Sequence, residues 1–122
     1  GEYDGYGPGE HTRDFIYVKD VVKVNFYFWE HPEISGIFNC GTGHAHQFNT
    51  LAKGVLKHFG SGELEYVPFP DVLKGKYQSF TQADTTNLLA AGYDGGFTPI
   101  EDAIAEYCEL LDKTGGYYVY ER

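Results

Sequence analysis

The chain has 122 residues, 42% of them hydrophobic, with 9 Lys+Arg against 18 Asp+Glu and a formal net charge of −9. That length fits one domain, and 11 Tyr, 9 Phe and 1 Trp set the composition far from chains too polar to bury a core. The acidic balance, with no basic cluster denser than Lys74-Gly75-Lys76, argues against DNA, RNA or an anionic membrane as partner.

Residues 1–12 hold five glycines or prolines interleaved with Tyr3, Tyr6 and His11, which breaks any helical or strand period and predicts a loop. Arg13 to Val18 is β-branched and aromatic and predicts a short strand or extended bridge. Val21, Val24 and Phe28 then recur at helical spacing, so residues 20–30 are expected to form an amphipathic helix with Asp20 at its start and Pro32 beyond its end. Ile34 to Cys40, almost continuously apolar, predicts a buried strand closed by Gly41-Thr42-Gly43.

Phe48, Leu51, Val55, Leu56 and Phe59 form the next helical stripe, over about 48–59, stopped by Gly60-Ser61-Gly62. Leu64 to Pro68 alternates like a strand whose prolines confine it to an edge. A loop follows, then an extended run at Ser79 to Gln82 and a short helix from Thr85 to Ala91, capped by Asp84 and ended by Gly92. Thr98-Pro99-Ile100-Glu101 reads as a capping box with proline at the first helical position. The helix it opens carries Ile100, Ala103, Ile104, Tyr107, Cys108 and Leu111 on one stripe. Tyr117 to Arg122 fits an edge strand or a frayed tail. Cys40 and Cys108 both fall in apolar runs, where a buried free thiol is the ordinary reading.

Gly41-Thr42-Gly43 lies between a strand and a helix as a dinucleotide-binding turn would. However, His46 stands where a third glycine belongs, and no acidic residue ends a second strand about twenty positions on. A tight strand exit is the simpler reading. His44 and His46 share one face of an extended segment, but no further ligands lie near them in sequence, so no metal is expected. There is no G-x-S-x-G elbow, and the carboxylates of the last helix sit on its polar side. His11 and Arg13, behind a Gly/Tyr loop, and the segment Pro70 to Gln78 remain. Arginine offers a planar fork for phosphate, lysine a point charge, and tyrosine a flat face with a hydroxyl. Together these suit a phosphorylated sugar, while the ordinary reading of isolated basic residues in a loop is solvation alone.

The same residues carry a resemblance. Arg13-Asp14-Phe15-Ile16-Tyr17-Val18-x-Asp20-Val21 and Ser35-Gly36-Ile37-Phe38-Asn39-Cys40-Gly41-Thr42-Gly43 are similar to blocks shared by many extended short-chain dehydrogenase/reductase enzymes acting on sugar nucleotides. Tyr66-Val67-Pro68-Phe69-Pro70 and Leu73-Lys74-Gly75-Lys76-Tyr77-Gln78-Ser79-Phe80-Thr81-Gln82-Ala83-Asp84 resemble the C-terminal part of ADP-L-glycero-D-manno-heptose 6-epimerase more specifically. The likeness runs from about residue 3 to 113. It implies an NADP-dependent isomerase of lipopolysaccharide precursor synthesis, in which the cofactor transiently oxidises C6 of the heptose and returns hydride to the opposite face. By motif, Arg13 and Tyr77 match the family's substrate-binding arginine and tyrosine. Tyr3, Asp4, Gly5 and Tyr6 stand at its short substrate loop, with a different sequence.

The family's glycine-rich NADP turn and Y-x-x-x-K pair do not precede Gly1, and Tyr66, Tyr77 and Tyr107 are not followed four residues on by lysine. The expectation is therefore an α/β chain, the substrate-binding C-terminal portion of such an enzyme lacking most of the Rossmann domain. Residues 1–113 would form that region and 114–122 a tail. No catalytic, cofactor-binding or metal-ligating residue is assigned to it. The resemblance also implies an ADP-sugar substrate and a homo-oligomer. No run approaches the roughly 18 apolar residues of a membrane span, and the opening residues do not resemble a secretion signal, so a cytoplasmic location is expected. Another nucleotide-sugar epimerase or dehydratase of the superfamily, or a non-catalytic binding module, stays open.

Overall fold

The computed structural model describes residues 1–116, a small α/β arrangement. In chain order its elements are β1 (Thr12–Arg13), α1 (Val18–Glu30), β2 (His46–Gln47), α2 (Phe48–Phe59), a single 3₁₀ turn (Asp71–Leu73), α3 (Thr86–Ala90) and α4 (Ile100–Lys113).

Two small cores hold these together. Val24 of α1, Leu88 of α3 and Tyr93 form the first, with Tyr27, Phe28, Phe38 and Phe97 packed around them. Tyr27 Oη donates to the Ala91 carbonyl at 2.6 Å, fixing α1 against the end of α3. There the chain turns at Gly92 with φ +97°, where a Cβ would also meet Tyr27 Oη at 2.8 Å. In the second core, Ile100, Ile104 and Cys108 of α4 pack with Phe15 and Leu51. α2 comes close at Gly54, where an added Cβ would lie 2.8 Å from Ile104 Cδ1. The outward face of α1 carries Val18, Val22, Phe26 and Trp29, all exposed, Trp29 at 75%.

β1 and β2 pair antiparallel, Thr12 with Gln47 and Arg13 with His46. On its other side Thr12 bridges Phe80 in parallel: its N–H donates to Ser79 O at 3.0 Å and its carbonyl accepts from the Thr81 N–H at 3.3 Å. Three distant segments thereby meet around residues 12 and 13.

Several expectations are corrected. α1 begins at Val18, two residues early, and Asp20 does not cap it. The Asp20 side chain is fully buried and accepts from the Thr98 N–H at 2.7 Å and the Thr98 hydroxyl at 3.0 Å. Both Thr98 donors are thus spent across the fold, so the capping box does not close, and α4 begins at Ile100 with Pro99 as its N-cap. Burial alone would raise the Asp20 pKa, but hydrogen bonds from Thr98 and Lys23 outweigh it and hold the carboxyl below its ordinary value. Ile34–Cys40 forms no strand. Its apolar run needs a neighbouring strand on each side, and none among the described residues pairs with it, leaving Ile37 93% exposed. Cys40 is exposed rather than buried, whereas Cys108 is buried. Leu64–Pro68 forms no strand. Asp84 does bond to the start of α3, accepting from the Thr86 N–H at 3.0 Å. The expectation for Tyr117 to Arg122 lies outside the described residues.

Candidate functional site

Tyr3 and Tyr6 exchange both backbone hydrogen bonds at 3.0 Å, with Asp4 at φ 56° and Gly5 at φ 78° between them. Two left-handed central residues define the tight two-residue hairpin for which Asp-Gly is favoured. The turn is fastened to the distant 69–79 segment at three points. Tyr3 Oη accepts from the Gly75 N–H at 2.6 Å, the Ser79 hydroxyl donates to Asp4 Oδ2 at 2.9 Å, and the Tyr3 ring stacks on Phe69 at 4.3 Å.

Arg13 and Tyr77, separated by 64 positions in sequence, meet: the guanidinium carbon lies 4.7 Å from the Tyr77 ring centroid and 5.9 Å from that of Phe48. Such stacking holds a guanidinium in place while leaving its edge donors able to bind. One of them, Nη1, donates to the Thr12 carbonyl at 2.7 Å. Between the hairpin and Tyr77 sits His11, buried among Tyr6, Phe69 and Tyr77. The six residues expected at the site, Tyr3, Asp4, Gly5, Tyr6, Arg13 and Tyr77, therefore belong to one connected neighbourhood.

A cavity of about 450 Å³ opens beside it, lined by Phe48, Asn49, Tyr66, Phe69 and Tyr77 among others. Flat rings with few polar groups are the usual lining of a small-molecule site, and the volume lies within the usual range. Tyr66 Oη donates to Asn49 Oδ1 at 2.9 Å, and Asn49 Nδ2 donates to the Pro8 carbonyl at 3.0 Å. Asn49 and Phe69 were missed from the sequence. Nothing in the sequence marks Asn49, and only the P-F-P block points to Phe69. Lys74 pairs with Asp71 at 2.7 Å, whereas Lys76 makes no ion pair among the described residues.

The Gly41-Thr42-Gly43 turn does hold an anion, and it is the chain's own. The Asp14 carboxylate accepts from the Thr42 N–H at 2.9 Å, the Gly43 N–H at 2.8 Å, the Ala83 N–H at 3.1 Å and the Thr42 hydroxyl. Burial alone would raise the Asp14 pKa, but these hydrogen bonds, led by those from Thr42, hold it below the ordinary carboxylate value. A Cβ at Gly41 would stand 2.8 Å from Asp14 Oδ2, so the close approach requires glycine. With its amides occupied, this turn does not fit a cofactor pyrophosphate. His44 Nδ1 lies 3.1 Å from the Thr42 carbonyl, and among the described residues no group of three or more His, Cys, Asp or Glu could hold a metal.

The sequence model of the NAD dependent epimerase/dehydratase family matches residues 3–41, the stretch carrying the hairpin, Arg13, Asp14 and α1. Among solved structures, the chain is similar to a UDP-N-acetylglucosamine 4-epimerase from Methanobrevibacter ruminantium M1 in complex with UDP-N-acetylmuramic acid. The two are 24% identical with a TM-score of 0.73 over 89% of this chain and 34% of that one. The chain thus spans about a third of that structure's length. At this identity the likeness is one of fold: over 89% of its length the chain adopts the architecture found in the matching third of a solved epimerase chain.

Proposed function

We propose that the chain is the substrate-binding portion of a nicotinamide-dependent nucleotide-sugar epimerase, with ADP-glycero-manno-heptose as the substrate inverted at C6 and NADP as the cofactor. The carrying observation is the Arg13 guanidinium held over Tyr77 at the rim of the aromatic cavity. Arg13 donates to the diphosphate, Tyr77 meets the sugar or diphosphate, the Tyr3–Tyr6 turn flanks the sugar, and Lys76 adds positive potential to an acidic chain. The cavity takes the base and ribose between its rings. The match to the epimerase/dehydratase family over residues 3–41 supports the class, and the P-F-P and L-K-G-K-Y-Q blocks support the ADP-heptose choice.

The cofactor is held by a part of the enzyme other than the described residues, because the turn that resembles a dinucleotide cradle is filled by Asp14. Residues 1–113 form the binding region and 114–122 a tail. In the working enzyme, a homo-oligomer in the cytoplasm, Ile34–Cys40 and the outward face of α1 are covered by the cofactor-binding sheet. No helix among the described residues is long and apolar enough to cross a membrane.

The fold shared with a UDP-N-acetylglucosamine 4-epimerase favours one second reading, a related epimerase acting on a UDP-sugar. Calorimetric titration of the 122-residue chain with ADP-glucose and with UDP-N-acetylglucosamine separates the two. The expected result is preference for the ADP-sugar and, in Arg13→Ala, affinity weaker by about tenfold or more from loss of a charge-assisted contact. Unchanged affinity in Arg13→Ala would remove Arg13 from the site. Preference for the UDP-sugar would move the assignment to the second reading.

A further inference from the structure

His11 is 5% exposed, more deeply buried than any of the six residues expected at the site. Its Nε2 lies 3.1 Å from the Tyr3 carbonyl, and because that oxygen can only accept, Nε2 carries a proton. The same carbonyl accepts the Tyr6 N–H that closes the hairpin, so both bonds converge on one atom of the turn. The ring stacks on Tyr6 at 5.3 Å and stands perpendicular to Tyr77 at 5.4 Å, with Phe69 at 5.7 Å. Tyr77 in turn carries the Arg13 guanidinium on its ring. A backbone contact anchors the assembly, since the His11 carbonyl accepts from the Phe48 N–H at the start of α2 at 3.1 Å.

The geometry points to His11 as a positioning residue for nucleotide-sugar binding: its imidazole ties the Tyr3–Tyr6 turn to the Arg13–Tyr77 pair, so that a ligand meets both already in place. The inference rests on the nucleotide-sugar reading above and adds to it a residue of the cavity wall whose Nε2 proton is committed to the turn and not to the ligand. Fixing loops before binding removes the ordering cost from the binding step, so loosening them lowers affinity without deleting a ligand contact.

The test titrates ADP-glucose into the 122-residue chain and into His11→Phe, His11→Gln and Ile104→Ala, recording a thermal midpoint for each. Phenylalanine keeps the packed ring and loses the donor, whereas a glutamine amide can reach the place of Nε2 and restore it. Loss of the hydrogen bond in His11→Phe is expected to weaken binding about five- to tenfold. His11→Gln is expected to bind within about threefold of the unaltered chain. Ile104→Ala, in the α2–α4 core, is expected to lose thermal stability at unchanged affinity.

His11→Phe binding as tightly as the unaltered chain overturns the inference. So does affinity that falls in step with the thermal midpoint in all three variants. Should His11→Phe not fold, nitrogen-15 spectra of the unaltered imidazole decide. The expected result is a protonated Nε2 whose resonance moves when ADP-glucose is added, and a proton on Nδ1 alone, or no response while Tyr77 responds, overturns it. Failure of the unaltered chain to bind either nucleotide sugar would instead sink the underlying reading.

Discussion

Arg13 and Asp14 adjoin in the chain, yet the Asp14 carboxylate gathers three backbone amides and a hydroxyl from two distant segments, while Arg13 spends one N–H on the protein. One step along the chain thus separates a structural rivet, Asp14, from the binding group proposed above, Arg13. A polar group with all its partners inside the fold acts on stability. One that keeps unused donors beside an aromatic cavity is free to meet a ligand.

The largest effect that could break this contrast is Asp14→Ala. Orphaning three amides and a hydroxyl is expected to cost about 3 kcal/mol or more in urea unfolding, while Arg13→Ala costs about 1 kcal/mol or less. Similar losses in both would end the distinction. Acid titration is the next largest. Asp14 and Asp20 both sit below the unfolded carboxylate value of 3.8 because hydrogen bonds outweigh burial. A lowered folded-state pKa contributes stability that is complete above the unfolded value and is lost as pH falls through the folded one. Stability is therefore expected to hold from neutral pH to about 5 and to fall below about 4, with a shallower fall in Asp14→Asn. Smallest is Lys19→Ala, which removes the exposed ion pair with Glu106. It is expected to leave the urea midpoint unchanged and so to mark the lower limit of a polar contact in this fold.

What was legible in the sequence follows the range of the interactions involved. α2 occupies residues 48–59 as its periodicity predicts, because its stripe and its stop at Gly60, with φ 69°, are local features. The start of α4 was misjudged, since the partner of Thr98 is Asp20, 78 positions away, and no local pattern announces it. Ile34–Cys40 shows the converse: its apolarity reads as a strand, but strand pairing needs a neighbour, which the described residues do not provide. At the site, residue chemistry singled out Arg13 and the 70–78 segment, but their meeting depends on the Thr12–Phe80 bridge, which leaves no periodic trace. Asp14 was passed over beside its conspicuous neighbour. The glycine-flanked turn shows in the sequence that an anion could be held there, but not that the anion is Asp14, 28 positions before Thr42.

Trp29 is the chain's one tryptophan, and it stands 75% exposed on the outward face of α1, outside the lining of the aromatic cavity. Its intrinsic emission therefore reports on whatever shields that helix from water and is nearly blind to the ligand cavity. Tyr66 and Tyr77 line the cavity, so difference absorbance of tyrosine is the optical signal that would follow its occupancy, while tryptophan emission follows the cover of α1.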